Sequence, residues 1–315
     1  MRDASKAVAG AAKKKKLNWR RLLPFYIMMI PGIAYLIINN YIPMFGVLIA
    51  FKKLNFSKGI LGSPWCGLDN FKFLFSSSDA WSITRNTICY NIVFILFGTV
   101  LAIALAILLN EVKSKIASRL YQSLVLLPYL MSWVIVSYLA FTFLSSDAGI
   151  FNGILKSLGM QPVNWYNTKQ YWPFIIVFAH MWKSIGYSMI IYLSSIVGIS
   201  QDYFEAATLD GASKWKQIRF ITLPLLKPTI ITLFILNLGG IFRSDFGLFY
   251  QLPRNSGALY SVTRTLDVYV YNALMKNSDF GMSSAASFYQ SIVGFVLIIS
   301  ANAFVRKYSK SNALF

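Results

Sequence analysis

The chain is poor in the residues from which most soluble catalytic centres are built. It has one histidine, His180, and two cysteines, Cys66 and Cys89, in 315 residues. Zinc centres need several close ligands and disulfide frameworks need paired cysteines, so both are set aside. Each cysteine reads as a small apolar filler, and His180 as a polar tip near a helix end. One histidine also gives a Ser-His-Asp device little support. Acidic residues are scarce: 11 Asp and Glu stand against 30 Lys and Arg, a net charge of +19. Only 13% of residues are charged, where soluble domains carry about 25%. No phosphate loop of the GxxxxGK[ST] kind is present, so any ATP that drives this protein binds another chain. Internal repeats, low-complexity tracts and a separate soluble domain are absent as well.

What the chain has in surplus is apolar side chain, 56% of residues. One water-facing globule does not absorb that much, and lipid is the natural solvent for it. The basic residues fall mostly between long apolar runs, not in a patch with stacking aromatics. Membrane topology explains that placement and nucleic-acid binding does not. Charge-free stretches run from Leu22 to Phe51, Asn86 to Asn110, Leu120 to Ser146 and Phe280 to Val305. Each exceeds the ~20 helical residues that cross a bilayer core. Gln170 to Gln201 is long but interrupted by Lys183, and a weaker span runs from about Leu225 to Phe246, with Lys227 and Arg243 near its ends.

The expectation is an all-α integral membrane protein of six transmembrane helices. With both termini cytoplasmic, 18 basic residues lie inside and 11 outside, which favours that orientation. The expected organisation is a basic cytoplasmic tail over 1–21, including Lys13 to Lys16, a first transmembrane helix over 22–51, and an outer loop over 52–85. A core over 82–304 carries the other five helices, and 305–315 is a cytoplasmic tail. No small-residue cleavage site follows the first apolar run, which therefore reads as a retained helix. Gly98, Ala102 and Ala106 form a small-residue stripe that suits close helix contact, within the bundle or between subunits.

The inside loop between the fourth and fifth spans, about 202–224, has legible local physics. Asp202 suits a helix cap, with Glu205 reaching back as in a capping box. Ala206, Ala207 and Leu209 favour helix, and Asp210-Gly211 stops it. Ser213 suits the cap of a second short helix, which Leu223-Pro224 closes before the next span. The product is a helix–turn–helix with small residues exposed at its bend, fit to sit in a cleft of another protein.

Glu205-Ala206-Ala207, Gly211, Ile218 and Leu223-Pro224 resemble the EAA loop of permease subunits in binding-protein-dependent ABC importers. Tyr41 to Gly46 with Ala50-Phe51-Lys52, Gly59 to Trp65, Leu109 to Val112, and Trp182 to Gly186 resemble the carbohydrate branch, in its LplB-like poly- and oligosaccharide form. The resemblance implies a type I ABC importer permease fold in the bacterial cytoplasmic membrane, and a non-catalytic subunit. It implies a second, usually non-identical permease subunit, a cytoplasmic ABC ATPase dimer that holds ATP and magnesium, and an extracytoplasmic solute-binding protein that delivers an oligosaccharide. This chain itself then binds no cofactor. Glu205 would pair with a basic residue of the ATPase. Ala206 and Ala207 would pack in its cleft, and Asp210-Gly211 and Leu223-Pro224 would shape the loop.

Ionisable groups in a span are functional candidates. Lys183, Arg243 and Asp245, with Asn237, Trp182, Tyr187 and Tyr192, are candidates for the solute path. Each has a plainer reading: Lys183 snorkelling to headgroups, Arg243 and Asp245 paired at a helix end, Trp and Tyr at the interface. Import of a non-sugar solute is the alternative within the same family. An ion-coupled secondary transporter lacks a deep carboxylate here, and a membrane-embedded enzyme lacks a catalytic constellation.

Overall fold

In the computed structural model, residues 19–72 and 78–308 are described. The tails expected over 1–21 and 305–315 therefore lie largely outside the described residues. The described chain is helical, with one isolated antiparallel bridge, Lys52 to Trp65. Among the described residues, five helices are long and apolar enough to cross a membrane, and a sixth span exists if one bent pair counts as a single crossing.

The first unit, ending at Leu48, is built on α1 (Trp19–Leu36), which carries Pro24 and Pro31. The helical path runs on through a π turn, Ile37–Tyr41, and further short turns to Phe51. Phe25, Met28 and Tyr35 are each more than half exposed, which suits a helix whose apolar surface is solvated by lipid.

The second unit begins at Ile49. Its helices are α2 (Ser78–Asn110), α3 (Lys115–Leu130), α4 (Trp133–Leu144), α5 (Ile150–Ser157), α6 (Trp172–Val197), α7 (Gln201–Leu209), α8 (Lys214–Gly239), α9 (Phe246–Gln251), α10 (Leu266–Asn277) and α11 (Phe280–Tyr308). The core is α2 laid along α6. Ala102 and Ala106 of α2 are fully buried against Met189, Tyr192 and Leu193 of α6 and Leu226 of α8. The small-residue stripe thus serves packing inside the chain. At the other end of the pair, Tyr90 and Phe94 cluster with Trp172, Ile176, Val136 and Phe249.

Three sequence expectations change. The run from Leu120 to Ser146 is not one rod: α3 and α4 meet at 96°. Pro128 removes a backbone donor near the end of α3, Met131 turns extended, and Ser132 Oγ accepts from Ile135 N at 3.3 Å to start α4. The helix after the EAA-like loop is not closed at Leu223-Pro224. It runs unbroken from Lys214 to Gly239, because a π turn at Ile218–Thr222 shifts the hydrogen-bond register just where Pro224 would clash. The same helix stops at Gly239-Gly240, so Arg243 and Asp245 lie beyond it, not along it.

Candidate functional site

The loop between α6 and α8 is a small braced bend. Ser200, not Asp202, caps α7: its Oγ accepts from Asp202 N at 3.3 Å. The expected capping box is absent, and the Glu205 side chain stands exposed without a hydrogen bond among the described residues. α7 ends in a left-handed turn at Gly211, φ +73°. Ala212 N donates to Ala207 O at 2.8 Å and Gly211 N to Thr208 O at 3.0 Å, the paired bonds that close a helix on a glycine. Gln217, which is buried, donates to Thr208 Oγ1 at 3.0 Å and to Ala212 O at 3.3 Å. Sequence reasoning missed this brace; a polar side chain on the inner face of a short helix was its only signal. Lys214 pairs with Glu111, at the end of α2, at 3.2 Å. Two large apolar side chains stand out among the charged residues on the outside of the bend: Leu209 is 90% exposed and Trp215 69%.

α8 leads from that bend straight to a cavity of about 370 Å³ between α2, α6 and α8. Tyr187, Tyr192 and Asn237 line it, as do Asn91, Thr99 and His180. His180 lies well inside α6, not near a helix end. Its ring stacks on Phe94, centroids 3.7 Å apart, and its buried Nδ1 has no partner among the described residues. Asn91 holds the far rim, donating to Ile241 O at 2.9 Å and Arg243 O at 2.8 Å. The lining mixes hydroxyl, amide and imidazole groups with aromatic faces.

The remaining path candidates are placed around this cavity. Lys183 does not snorkel away: its Nζ donates to Tyr129 O at 3.0 Å and lies over the Tyr129 and Trp133 rings at 5.3 and 5.2 Å. It thus sits on the α3–α4 break, and Tyr129 in turn stacks on Tyr187 at 4.8 Å. Asp245 caps α9 through Leu248 N and accepts from Trp133 Nε1. Arg243 meets Ser291 Oγ at 3.3 Å, so the two side chains take different partners. Trp182 lines a separate apolar cavity with Val136, Phe143 and Phe178. Gly186, in the same turn of α6, is required by close approach: a Cβ there would stand 2.3 Å from Val125 O of α3. Among the described residues no group of three or more His, Cys, Asp or Glu could hold a metal ion.

The described residues thus form a bundle of long apolar helices, with an exposed, braced loop at one end of α8 and a cavity at the other. Residues 95–310 match the family described as binding-protein-dependent transport system inner membrane component, and the chain belongs to that family. Protein LplB of Bacillus subtilis is 32% identical over 307 residues, spanning 98% of this chain and 94% of the relative. The polygalacturonan/rhamnogalacturonan transport system permease protein YteP, also of Bacillus subtilis, is 33% identical, spanning 90% of this chain and 88% of its own. The fold matches a chain in the crystal structure of a bacterial alginate ABC transporter in complex with an alginate pentasaccharide-bound periplasmic protein. That match has TM-score 0.83 and 31% identity, and covers 92% of this chain and 96% of the other. The protein is an inner-membrane component of an ABC transporter.

Proposed function

We propose that this chain is one permease subunit of an ATP-driven importer of oligosaccharides or polysaccharide fragments, working beside a second permease. A cytoplasmic ATPase dimer hydrolyses the ATP, and an extracytoplasmic solute-binding protein delivers the sugar. Both termini and the Gly211 loop face the cytoplasm. The observation that carries this reading is the continuity of α8. Its first residue, Lys214, belongs to the bend, and its last turns, with Leu236 and Asn237, form the wall of the polar cavity. A rigid helix transmits displacement along its length, so a push on the loop reaches the cavity wall. Glu205 and Leu209, both exposed and uncommitted, supply the charge and the apolar contact that an ATPase cleft would take. The saccharide names carried by similar proteins support the substrate class.

The test is reconstitution of the full complex in proteoliposomes. Sugar-loaded binding protein should stimulate ATP hydrolysis and uptake together. Glu205→Ala should abolish most of the stimulation while the complex still assembles. Unchanged stimulation in that variant would remove the loop from the coupling path.

A further inference from the structure

A second polar cleft lies apart from the α2–α6–α8 cavity. It has a volume of about 240 Å³ and opens between the start of α4 and the end of α9, lined by Tyr138, Tyr250, Gln251, Arg254 and Asn255 among others. α8 spans 26 residues, about 39 Å at the helical rise, so the cleft stands at the far end of the bundle from the Gly211 loop. That is the solute's side of the membrane in the reading above.

Its backbone is unusual. Arg254 and Asn255 are consecutive non-glycine residues with φ of +54° and +49°. Asparagine tolerates that region; arginine seldom occupies it. The conformation is held from outside. Asn255 exchanges amide contacts with Asn272 at 3.3 Å, and Tyr260 Oη donates to Asn255 Oδ1 at 3.0 Å. Strain sustained in this way is a reason to look for a task.

The side chain so placed is not committed. The Arg254 guanidinium lies over the Phe141 ring, 4.2 Å from its centroid, and none of its side-chain donors meets a hydrogen-bond acceptor or a carboxylate among the described residues. The ring contact leaves the N–H groups unspent, and a guanidinium takes a carboxylate through two parallel bonds. The Tyr138 and Tyr250 hydroxyls and the Gln251 amide make no side-chain hydrogen bonds among the described residues either. Tyr138 is 65% exposed, and Tyr250 is fixed in an aromatic group with Phe246 and Tyr271 at 4.9 and 5.1 Å. Aromatic faces, unspent amide and hydroxyl groups and one open guanidinium converge on a space smaller than the ~300 Å³ at which drug-sized pockets begin.

We propose that this cleft is a binding subsite for one carboxylate-bearing unit of the incoming saccharide, with Arg254 holding the carboxylate and Tyr138, Tyr250 and Gln251 the ring and its hydroxyls. The proposal rests on the oligosaccharide reading and narrows it to sugars that carry uronate groups.

The experiment uses the purified complex of both permeases and the ATPases, without the solute-binding protein. It is titrated with trigalacturonate and with its neutral trimethyl ester. Wild-type complex should bind the acid more tightly than the ester. Arg254→Gln should weaken binding of the acid by roughly ten- to a hundredfold, the worth of a hydrogen-bonded charge, and leave the ester within about twofold. Arg254→Lys should restore part of the loss, and it carries the test alone if the glutamine variant fails to assemble. Equal losses for both probes, no loss for either, or a wild-type preference for the ester would overturn the acidic subsite. Uptake in the complete importer separates the two proposals. Transport of neutral oligosaccharides without binding of the acid sinks the subsite alone, and transport of no saccharide sinks the function and the subsite together.

Discussion

Gln217 donates to Thr208 Oγ1 at 3.0 Å across the Gly211 bend. The bond joins the last turn of α7 to the first turn of α8. Thr208 Oγ1 in turn donates to Phe204 O at 2.7 Å, so the brace reaches back into the EAA-like helix. In the proposed coupling, a loop stiffened in this way would pass a push to α8 and not absorb it by bending.

Gln217→Ala removes both amide bonds and leaves the Ala212 carbonyl short of a partner, a loss of about 1–3 kcal/mol local to the bend. The membrane-spanning helices do not depend on that contact. We expect normal insertion and assembly, faster amide exchange over residues 208–217, and a several-fold drop in sugar-stimulated ATP hydrolysis. Wild-type exchange rates in the variant would show that the brace carries no rigidity.

Gly211 has φ +73° and open space around its Cβ position. Its substitutions therefore test backbone conformation without steric overlap. Gly211→Ala and Gly211→Asn should cost about 1–2 kcal/mol or less, with asparagine the milder. Gly211→Val, β-branched, should cost more and uncouple transport. Equal transport and ATPase rates in the three variants would mean that the bend does not need its left-handed turn.

The elements that could be read in advance are those in which composition and geometry agree. α2 and α11 hold long charge-free runs, α6 is a long apolar run broken only by Lys183, and Asp210-Gly211 marked the end of α7. The α3–α4 break was invisible to hydropathy, because Met131 and Ser132 interrupt the hydrogen bonds and not the apolar run. Pro224 misled in the opposite sense: proline normally ends a helix, and the π turn before it let this one continue. Tyr187 and Asn237, singled out by residue type, line the α2–α6–α8 cavity. His180 was misplaced because a lone histidine carries no periodic signal, and Arg254 was not singled out because its positive φ is a backbone angle that no side-chain pattern encodes.

Glu111 and Lys214 join α2 to the bend at 3.2 Å, yet their side chains are 42% and 70% exposed. Water and salt screen such a pair to about 0–1 kcal/mol. Glu111→Gln should leave the thermal unfolding midpoint of the purified complex almost unchanged and its coupling nearly intact, in contrast to Gln217→Ala. A large loss in both readouts would assign this pair a structural weight that its exposure does not predict.

At Gly186, α6 lies directly against the backbone of α3 at Val125 and Leu126. A methyl group there would overlap Val125 O at 2.3 Å, and backbone on both sides leaves nothing flexible to yield. Gly186→Ala should force the helices apart and lower the unfolding midpoint, at about 1–3 kcal/mol for overpacking. The displacement would also reach Lys183, one turn earlier, whose ammonium holds Tyr129 O at the end of α3. Lys183→Met removes that tie without adding bulk, and leaves the helix-end carbonyl with one acceptor bond fewer. A spin-label pair across the bend, one label on α3 and one on α4, should report a single narrow distance in the wild type and a broader, longer one in both variants. A narrow wild-type distance in Lys183→Met would show that helix packing alone sets the 96° bend, and that the lysine is free to meet solute.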